Sequence, residues 1–590
     1  MTLTVIAAFL LVQTGKGSIE GVVLNSITNR PIAGAQLTAT KLASPRNVPA
    51  AGPAQGGIVT GVLGGVIGAG TQVTTVMPNG VPAAQISPVR TDVAGHFIFR
   101  DLEAGTYQLR ASAEGYAQQD YNQRPGGQSG MMLSVNLTDG HALKDAVFRL
   151  TPGGTLSGRI TGSSGEPLVN IEVLLVRSIY DPDGRKTFQQ AAIVQTNDRG
   201  EYRMFWISPG RYFLSAASSN RPIPGVPFNP GNISNKYPRT FYPNAADVSS
   251  AVPIEVQPAL ELSGIDFRLT EQPTYRVRGR VIDSNSASTV PRNVSISIML
   301  RDSVLNTGTS FSGNSYNPAE GTFELRDIPS GSYVIRAQLP FNGRPEPNQP
   351  PPTPPVAIAS VDVAGADVDG VVLTFVPPTS IPGRVRIEGE PLPQNFRASV
   401  NLRPATSGAA FGSLVRPAQT NADGTFSLNG IAPGEYRVTA NANFGSSQMK
   451  LYVKEIRFGA TDVLTHPLTV TGSVSDTMEV VFGKDGSKVS GTVRADSQQL
   501  LPNVEVVLIP DQRDRHDLYN MTITSPTGQF TFPSVPPGSY KAFAWENVER
   551  FSWFDPTVLA RFEPQGLHMT VNASSDVTLD VKVIPVTSSR

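Results

Sequence analysis

The stretch TNADGTFSLNGIAPGEYRVTA, residues 420–440, contains the strand and turn pattern that predicts the fold class of this chain. Phe426 and Leu428 stand two positions apart, so on a β-strand both side chains point to the same face. The segment from Tyr436 to Ala440 repeats this alternation after Pro433-Gly434, a pair that supplies a fixed φ and then a positive one. The stretch therefore predicts a β-hairpin made of two half-buried strands.

A skeleton of this form, G-x-F-x-L-x-x-I-x-P-G-x-Y-x-V-x-A, recurs in five copies that align without gaps. The copies lie about a small domain apart, so the repeat marks whole domains rather than a solenoid. The first turn glycines are Gly95, Gly200, Gly321, Gly424 and Gly528. The second turn glycines are Gly105, Gly210, Gly331, Gly434 and Gly538. The tyrosines that follow are Tyr107, Tyr212, Tyr333, Tyr436 and Tyr540.

The second glycine and the tyrosine each have a physical reason. Copies one and three replace the preceding proline with Ala104 and Ser330 but keep the glycine, so a positive φ is the stricter demand. We expect that glycine in the left-handed αL conformation. The tyrosine is expected to bury its ring and to bond its hydroxyl to nearby backbone, as the tyrosine corner does in other β-sandwiches. Stacking on a ligand is the alternative role for these tyrosines.

Each hairpin is flanked by further strand signals. A short opener of the form G-x-[VI] precedes it, and an apolar closing strand such as DAVFRL or MEVVF follows it. Short strands, regular turn signals and little helical periodicity predict an all-β chain of β-sandwiches. The opener glycines are Gly21, Gly158, Gly279, Gly383 and Gly491.

The opener GSIEGVVLNSITNRPIAGAQLTAT, joined to TDVAGHFIFRDLEAGTYQLRASAEGY, resembles the carboxypeptidase regulatory-like domain. That family has a transthyretin-like, seven-stranded sandwich related to Cna B-type modules, so the resemblance implies five such sandwiches in tandem. Cna B-type modules often carry a Lys to Asn or Asp isopeptide bond. Only Lys488 stands at the required opener position, so a repeated isopeptide staple is not expected.

The resemblance and the repeat together imply a domain division. The short connections between closing and opening strands favour restricted orientations and a monomeric rod. The expected ranges are a signal peptide at 1–16, sandwich 1 at 17–151 with a Gly/Pro-rich loop insertion, sandwich 2 at 152–272, sandwich 3 at 273–378 with a Pro-rich loop, sandwich 4 at 379–484, and sandwich 5 at 485–590 with a Trp-bearing insertion.

Composition excludes several classes of partner. The 590 residues hold 48 Lys and Arg against 48 Asp and Glu, a balance that does not favour nucleic acid or an anionic membrane. Cysteine is absent, which excludes disulfides and thiolate metal sites.

The start of the chain suggests export. The apolar run from Val5 to Val12 has the length of a signal-peptide h-region and is too short to span a bilayer. A mis-set start codon or an added β-strand are the alternatives. No later segment qualifies as transmembrane. The glycine-rich stretch at 56–70 is expected to be a loop insertion, and the proline-rich stretch at 344–355 is expected to be a spacer.

Catalytic and metal-binding patterns are not found in the sequence. The five histidines are scattered and form no H-E-x-x-H pair, so we expect no catalytic residue, no metal site and no cofactor. DPDG at Asp181 and NADG at Asn421 could be calcium loops, but neither continues into further carboxylate ligands, and turn chemistry explains both. RDRHD, residues 513–517, is typical of a solvated charged loop.

The last copy holds the candidate ligand surface. Its insertion AWENVERFSWFDPTVLARFEPQG contains two of the three tryptophans, and Asp555-Pro556 is placed to begin a short helix. We expect a non-catalytic, exported binding or scaffold protein whose partner is a protein or polysaccharide of the cell envelope or exterior. A carbohydrate-binding protein is the second hypothesis, and an enzyme with a site assembled between domains is the third. The candidate ligand surface is Trp545, Trp553, Phe554 and Tyr519. For Trp545, which directly follows the closing Ala544, a place in the core is the alternative.

Overall fold

A computed structural model gives the fold. It describes residues 16–42, 84–121, 134–219, 236–283, 290–291, 293–301, 316–339, 355–375, 379–394, 396–405, 415–443, 451–472 and 474–585. The predicted signal peptide, apart from Lys16, and the glycine-rich stretch lie outside these residues, as does almost all of the proline-rich stretch.

The described chain falls into two compact units. Unit 1 comprises Met1–Arg177, Gln190–Ala217 and Arg239–Thr270, and unit 2 comprises Ser178–Gln189, Ser218–Pro238 and Glu271–Arg590. Both consist of β-sandwiches in tandem, in which two sheets enclose a shared apolar core. The predicted all-β class is confirmed. The number of sandwiches, their seven-stranded topology and their boundaries stay predictions.

The first two copies supply the strands of unit 1, except for the tip of one hairpin. Copy one pairs β5-β1-β9 in one sheet and β3-β2-β6-β7 in the other, with β4 on β2 and β8 on β6. Its strands are β1 Gly17–Asn25, β2 Gln36–Lys41, β3 Ala84–Gln85, β4 Val89–Arg90, β5 His96–Leu102, β6 Gly105–Ser112, β7 Gln119–Asp120, β8 Ser134–Leu137 and β9 Ala142–Leu150.

Copy two repeats this arrangement, with β13-β10-β17 in one sheet and β12-β11-β14-β15 in the other. In addition, β18 pairs with β10 and β16 pairs with β14. A short 3-10 helix covers Val248–Ser250. The strands are β10 Gly154–Thr161, β11 Ile171–Tyr180, β12 Lys186–Gln195, β13 Glu201–Ile207, β14 Gly210–Ser218, β15 Thr240–Phe241, β16 Ile254–Val256, β17 Glu261–Leu262 and β18 Phe267–Arg268.

Copies three and four belong to unit 2. Copy three forms β21-β22-β19-β25 and β20-β23-β24, and copy four forms β29-β26-β34-β31-β32 and β28-β27-β30-β33. The strands are β19 Thr274–Asp283, β20 Ser295–Leu300, β21 Tyr316–Asn317, β22 Thr322–Pro329, β23 Gly331–Gln338, β24 Val356–Val363, β25 Val368–Phe375, β26 Thr379–Ile387, β27 Arg397–Pro404, β28 Ala418–Gln419, β29 Thr425–Ile431, β30 Gly434–Asn443, β31 Tyr452–Phe458, β32 Thr461–Asp462, β33 Leu468–Val470 and β34 Met478–Gly483.

Copy five completes unit 2 and joins its two layers through the closing strand. The order is β37-β36-β39-β41-β35-β38, with β40 on β39, so β41 pairs in parallel with both β35 and β39. Short 3-10 helices cover His516–Leu518, Ser552–Phe554 and Glu563–Gln565. The remaining elements are β35 Ser487–Arg494, β36 Glu505–Pro510, β37 Asn520–Ile523, β38 Gln529–Val535, β39 Gly538–Trp545, β40 Leu567–Val571, β41 Asp576–Ile584 and the α-helix α1 Pro556–Leu559.

The opener glycine allows two strands to approach each other. In every copy the opening strand pairs in parallel with a closing strand. A Cβ built on Gly21 would lie 1.8 Å from the carbonyl oxygen of Ala146, and one on Gly491 would lie 2.1 Å from that of Leu579. A side chain there would push the strands apart, which explains why the opener repeats a glycine.

The tyrosine corner is confirmed in all five copies. Each tyrosine is at most 3% exposed, and its hydroxyl donates to the backbone carbonyl four residues upstream. Burial raises the pKa of all five phenols, to about 12 for Tyr333. The bonds are Tyr107 to Glu103 at 2.6 Å, Tyr212 to Ser208 at 2.7 Å, Tyr333 to Pro329 at 2.9 Å, Tyr436 to Ala432 at 2.8 Å and Tyr540 to Pro536 at 2.9 Å.

Both turn glycines of every copy have positive φ, but the expected αL conformation is wrong for the second one. Gly434 has φ +157°, and its four counterparts lie between +154° and +159°. The αL region belongs to the first turn glycine instead, for example Gly424 at φ +82°. The second glycine starts the next strand directly, so its backbone is nearly extended but on the side of φ that a Cβ disfavours.

A buried threonine, which was not singled out from the sequence, ties the residues before the first turn glycine to the loop after the opening strand in four copies. Thr524 accepts from the Val504 amide at 2.9 Å and donates to the Leu501 carbonyl at 2.8 Å. Aligning the five copies would have revealed it, because it stands four residues before the first turn glycine. The four residues are Thr91, Thr196, Thr420 and Thr524.

Candidate functional site

The two candidate tryptophans of copy five lie in a core and not on a surface. Trp545 and Trp553 are each 2% exposed, and their rings stack with centroids 6.1 Å apart. On its other side Trp545 stacks on Phe543 at 4.9 Å. The expectation of an exposed stacking face is therefore wrong for Trp553, whereas Trp545 takes the core position that was its alternative.

This aromatic core arises because β36 and β39 are buried on both faces. Along β39, Ala542 and Ala544 face the core between the sheets, whereas Phe543 and Trp545 face a second cluster on the outer side. The insertion after β39 supplies the cover, including Trp553. A strand buried on both sides reads as a continuous apolar run, which is what EVVLIP in β36 shows.

Tyr519 and Phe554 complete the candidate set at the edge of that core. Their rings lie 4.3 Å apart, and His516 stacks on Phe554 at 4.6 Å. Both side chains keep intermediate exposure. The structure thus brings all four candidate residues together, because Phe554 also lies 6.5 Å from Trp553.

The short helix after Phe554 begins as predicted at Asp555-Pro556. Asp555 is the N-cap of α1 and accepts from the amide of Thr557 at 2.8 Å. The hydrogen bond from the Thr557 hydroxyl is the main cause that lowers the pKa of Asp555, and the bond from Tyr180 adds to it. The carboxylate is therefore ionised at neutral pH and available as an acceptor.

A segment from copy two packs against this edge within unit 2. The Tyr180 hydroxyl donates to Asp555 Oδ2 at 3.0 Å, and burial together with this bond raises the pKa of Tyr180 to about 12. Gly184 lies so close to Phe554 that an added Cβ would be 2.2 Å from the Phe554 Cβ. We name residues 178–189 the docking segment.

The docking segment also contacts copy four. Arg185 Nη1 donates to the carbonyl of Ala405 at 2.7 Å, while the same guanidinium pairs with Asp183 at 2.7 Å. Asp181 accepts from the amides of Asp183 and Arg185. DPDG is thus a hydrogen-bonded turn that presents Arg185, as turn chemistry predicted.

Charged residues around His516 are less solvated than the sequence suggested. Arg515 and Asp517 pair at 2.7 Å with side chains 22% and 19% exposed, so the expected solvated loop at 513–517 is wrong in this respect. Burial, together with the nearby charge of Arg437, lowers the pKa of His516. The imidazole that stacks on Phe554 is therefore neutral at pH 7.

A different aromatic pair is exposed in copy two, and the sequence analysis missed it. Phe205 is 47% exposed and Trp206 is 41% exposed, on the outer face of β13. Trp206 has φ +56°, a conformation that bulky residues rarely adopt. Aligning the five copies would have shown it, because the same position holds Asp101, Asp327, Gly430 and Ser534 elsewhere.

Metal ligation and membrane spanning find no support in the described part of the chain. Over those residues, no three His, Asp or Glu side chains come together as a metal site would require. Nor is any helix in the same residues long and apolar enough to cross a bilayer.

Comparison with known proteins leaves the family open. No protein-family model matches the sequence, and no curated protein matches it significantly. Solved structures with a partial likeness include the TIE protein of Bacillus anthracis, 13% identical over 75% of this chain and 69% of that chain, with a TM-score of 0.14.

Two further solved structures are a pilin and a pair of repeat units of a collagen-binding protein. The minor pilin of Streptococcus agalactiae is 15% identical over 44% of this chain and 97% of that chain, with a TM-score of 0.21. Two B repeat units of the collagen-binding protein of Staphylococcus aureus are 11% identical over 80% of this chain and 100% of that chain, with a TM-score of 0.12. At such TM-scores these likenesses decide neither fold nor function.

Proposed function

We propose that this protein is a non-catalytic, extracytoplasmic binding or scaffold protein built of five seven-stranded carboxypeptidase regulatory-like β-sandwiches, with the domain ranges predicted from the sequence. One observation carries this proposal: residues that recur in the copies are buried and bonded inside the scaffold, whereas the exposed residues beside them change. Tyr333 and Tyr540 fill equivalent buried positions and make equivalent bonds. Exposed Phe205 stands where copy one has Arg100 and copy five has Pro533.

Recurring buried residues and varying exposed residues are what we expect of a chain that uses one repeated fold to present different binding surfaces. The partner proposed is a protein or polysaccharide of the cell envelope or exterior. The location outside the cytoplasm is supported by the apolar run from Val5 to Val12.

Carbohydrate binding is the second candidate, and the exposed pair Phe205 and Trp206 favours it. Aromatic rings exposed to water can stack on the apolar faces of sugars. In this alternative Tyr519 and Phe554 remain candidate contacts at the edge of copy five. Trp545 and Trp553 would only support them from beneath, because both are buried.

Protease treatment of intact producing cells tests the location. We expect the chain to be cleaved on intact cells, or on cells whose outer layer has been opened, while a cytoplasmic marker protein stays whole. Cleavage only after full lysis, together with recovery of the chain in the cytosolic fraction, would contradict the proposal.

A further inference from the structure

Each copy has a β-bulge at the same place in the hairpin. In copy two, Gly154 pairs with Ile207 and Leu156 pairs with Met204, so two residues of β13 face one residue of β10. The same register shift occurs in the other four copies. A bulge changes the direction of side chains relative to the regular ladder, and bulges are over-represented at sheet edges and next to active sites.

The bulge residues differ in a way that the fold does not require. The second one has φ between +56° and +75° in four copies, which favours Asp or Gly. Copies one, three and four place Asp101, Asp327 and Gly430 there, whereas copy two places Trp206. Bulky residues in this region are strained and persist where the surroundings hold them, often at functional sites.

The surroundings do hold Trp206. A Cβ built on Gly153 would lie 2.4 Å from the Cα of Trp206, so the backbone of this residue packs directly on that glycine. The Arg203 guanidinium lies over the Phe205 ring at 4.9 Å and also pairs with Glu261 at 2.7 Å. Arg203 and Glu261 are about half exposed, so both can still bond a ligand.

The size of the patch indicates the kind of partner. A large aromatic side chain has about 150–250 Å² of surface to bury, so the exposed fractions of Phe205 and Trp206 amount to about 100 Å² each. A stable protein interface needs about 800 Å² on each partner. The patch is too small for such an interface but fits the face of one or two sugar rings, and the Arg203–Glu261 pair beside it offers donors and acceptors for hydroxyls.

We propose that Phe205, Trp206, Arg203 and Glu261 form a carbohydrate-binding platform on the edge of copy two. This inference rests on the carbohydrate-binding form of the proposed function. The rings stack on the apolar face of a pyranose, and the ion pair orients the sugar through its hydroxyls.

The fluorescence of the full chain gives a direct test. All three tryptophans are described, and Trp206 alone is substantially exposed, so the component quenched by acrylamide reports this residue. The probes are soluble hexasaccharides of glucose, α- and β-linked, and of N-acetylglucosamine. We expect at least one of them to protect Trp206 from quenching in a saturable manner.

The matched variant is F205R/W206D, which gives copy two the same bulge pair as Arg100-Asp101 and Arg326-Asp327. Because Asp tolerates this φ, hydrogen exchange in residues 201–207 should not speed up. Retention on the corresponding insoluble polysaccharide should fall about tenfold or more, as expected for the loss of an aromatic anchor. V93A is the control, since Val93 is 90% exposed and lies outside the platform, and it should bind as the wild type does.

Two results would overturn the platform. One is that no hexasaccharide protects Trp206, and the other is that F205R/W206D keeps full retention. If F205R/W206D still binds whole envelopes under either result, the platform is refuted while the broader binding function stands. If F205R/W206D proves unstable, W206A with the same quenching measurement decides the question.

Discussion

Replacing Gly184 by Ala tests the docking segment against copy five. Gly184 has φ +75°, so any side chain costs about 1 kcal/mol in backbone strain. The new Cβ would also lie 2.2 Å from the Cβ of Phe554, an atom that no rotamer change can move away. Overpacking of this kind costs about 1–3 kcal/mol, so the total loss should be about 2–4 kcal/mol.

Gly389 provides the matched control in the same unit. Its φ is +70°, and nothing lies within 4 Å of an added Cβ. G389A should therefore show the backbone cost alone. The difference between the two variants isolates the contact with Phe554.

Hydrogen exchange is the suitable assay, because a multi-domain chain has no single unfolding transition. G184A should speed exchange in residues 178–189 and 551–559 by about 5- to 150-fold more than G389A speeds it in its own turn. Equal effects of the two variants, with residues 551–559 unchanged by G184A, would refute the packing of Gly184 on Phe554.

Three further predictions follow from burial and backbone geometry. W553A should destabilise copy five by about 3–5 kcal/mol, because the ring is 2% exposed. Hydrogen exchange in residues 538–545 checks this beside V93A, and exchange there as slow as in V93A would contradict the burial. G434A should lower the stability of copy four by more than about 1 kcal/mol, because Gly434 has a φ of +157°, and P433A should lower it by less. Hydrogen exchange in residues 425–440 measures both losses, and equal losses would contradict the special role of the glycine in this turn. Burial keeps Tyr333 neutral in the folded chain up to its pKa of about 12, whereas the same tyrosine in the unfolded chain ionises above pH 10. The free energy of unfolding should therefore fall between about pH 10 and pH 12. The difference between the alkaline absorbance titrations of the wild type and Y333F measures that pKa, and a value near 10 in the folded chain would contradict the prediction.

The hairpin could be predicted because its demands are local. The alternation from Tyr436 to Ala440 and the glycine before it specify a strand and a turn, and the tyrosine corner bonds only four residues away. The αL expectation for Gly434 failed because the glycine belongs to the next strand. The recurring glycine indicates a positive φ at this position, but it does not distinguish the αL conformation from a nearly extended backbone.

The candidate site was harder to predict because its environment comes from distant residues. Trp553 looked exposed in a charged insertion, but β36 and β39 present apolar side chains on both faces and need a cover. Tyr180 lies 375 residues from its partner Asp555, a contact that no local pattern encodes. Trp206 was different, since comparing the fifth and sixth residues after each first turn glycine would have revealed the aromatic pair.

Equilibrium retention of the purified full chain on washed cell envelopes shows whether this repeated, non-catalytic scaffold carries exposed binding residues. We expect saturable binding that leaves the envelope chemically unchanged, with no sugars or peptides released over time. Retention that never saturates, or steady release of soluble fragments from the envelope by the pure chain, would contradict it.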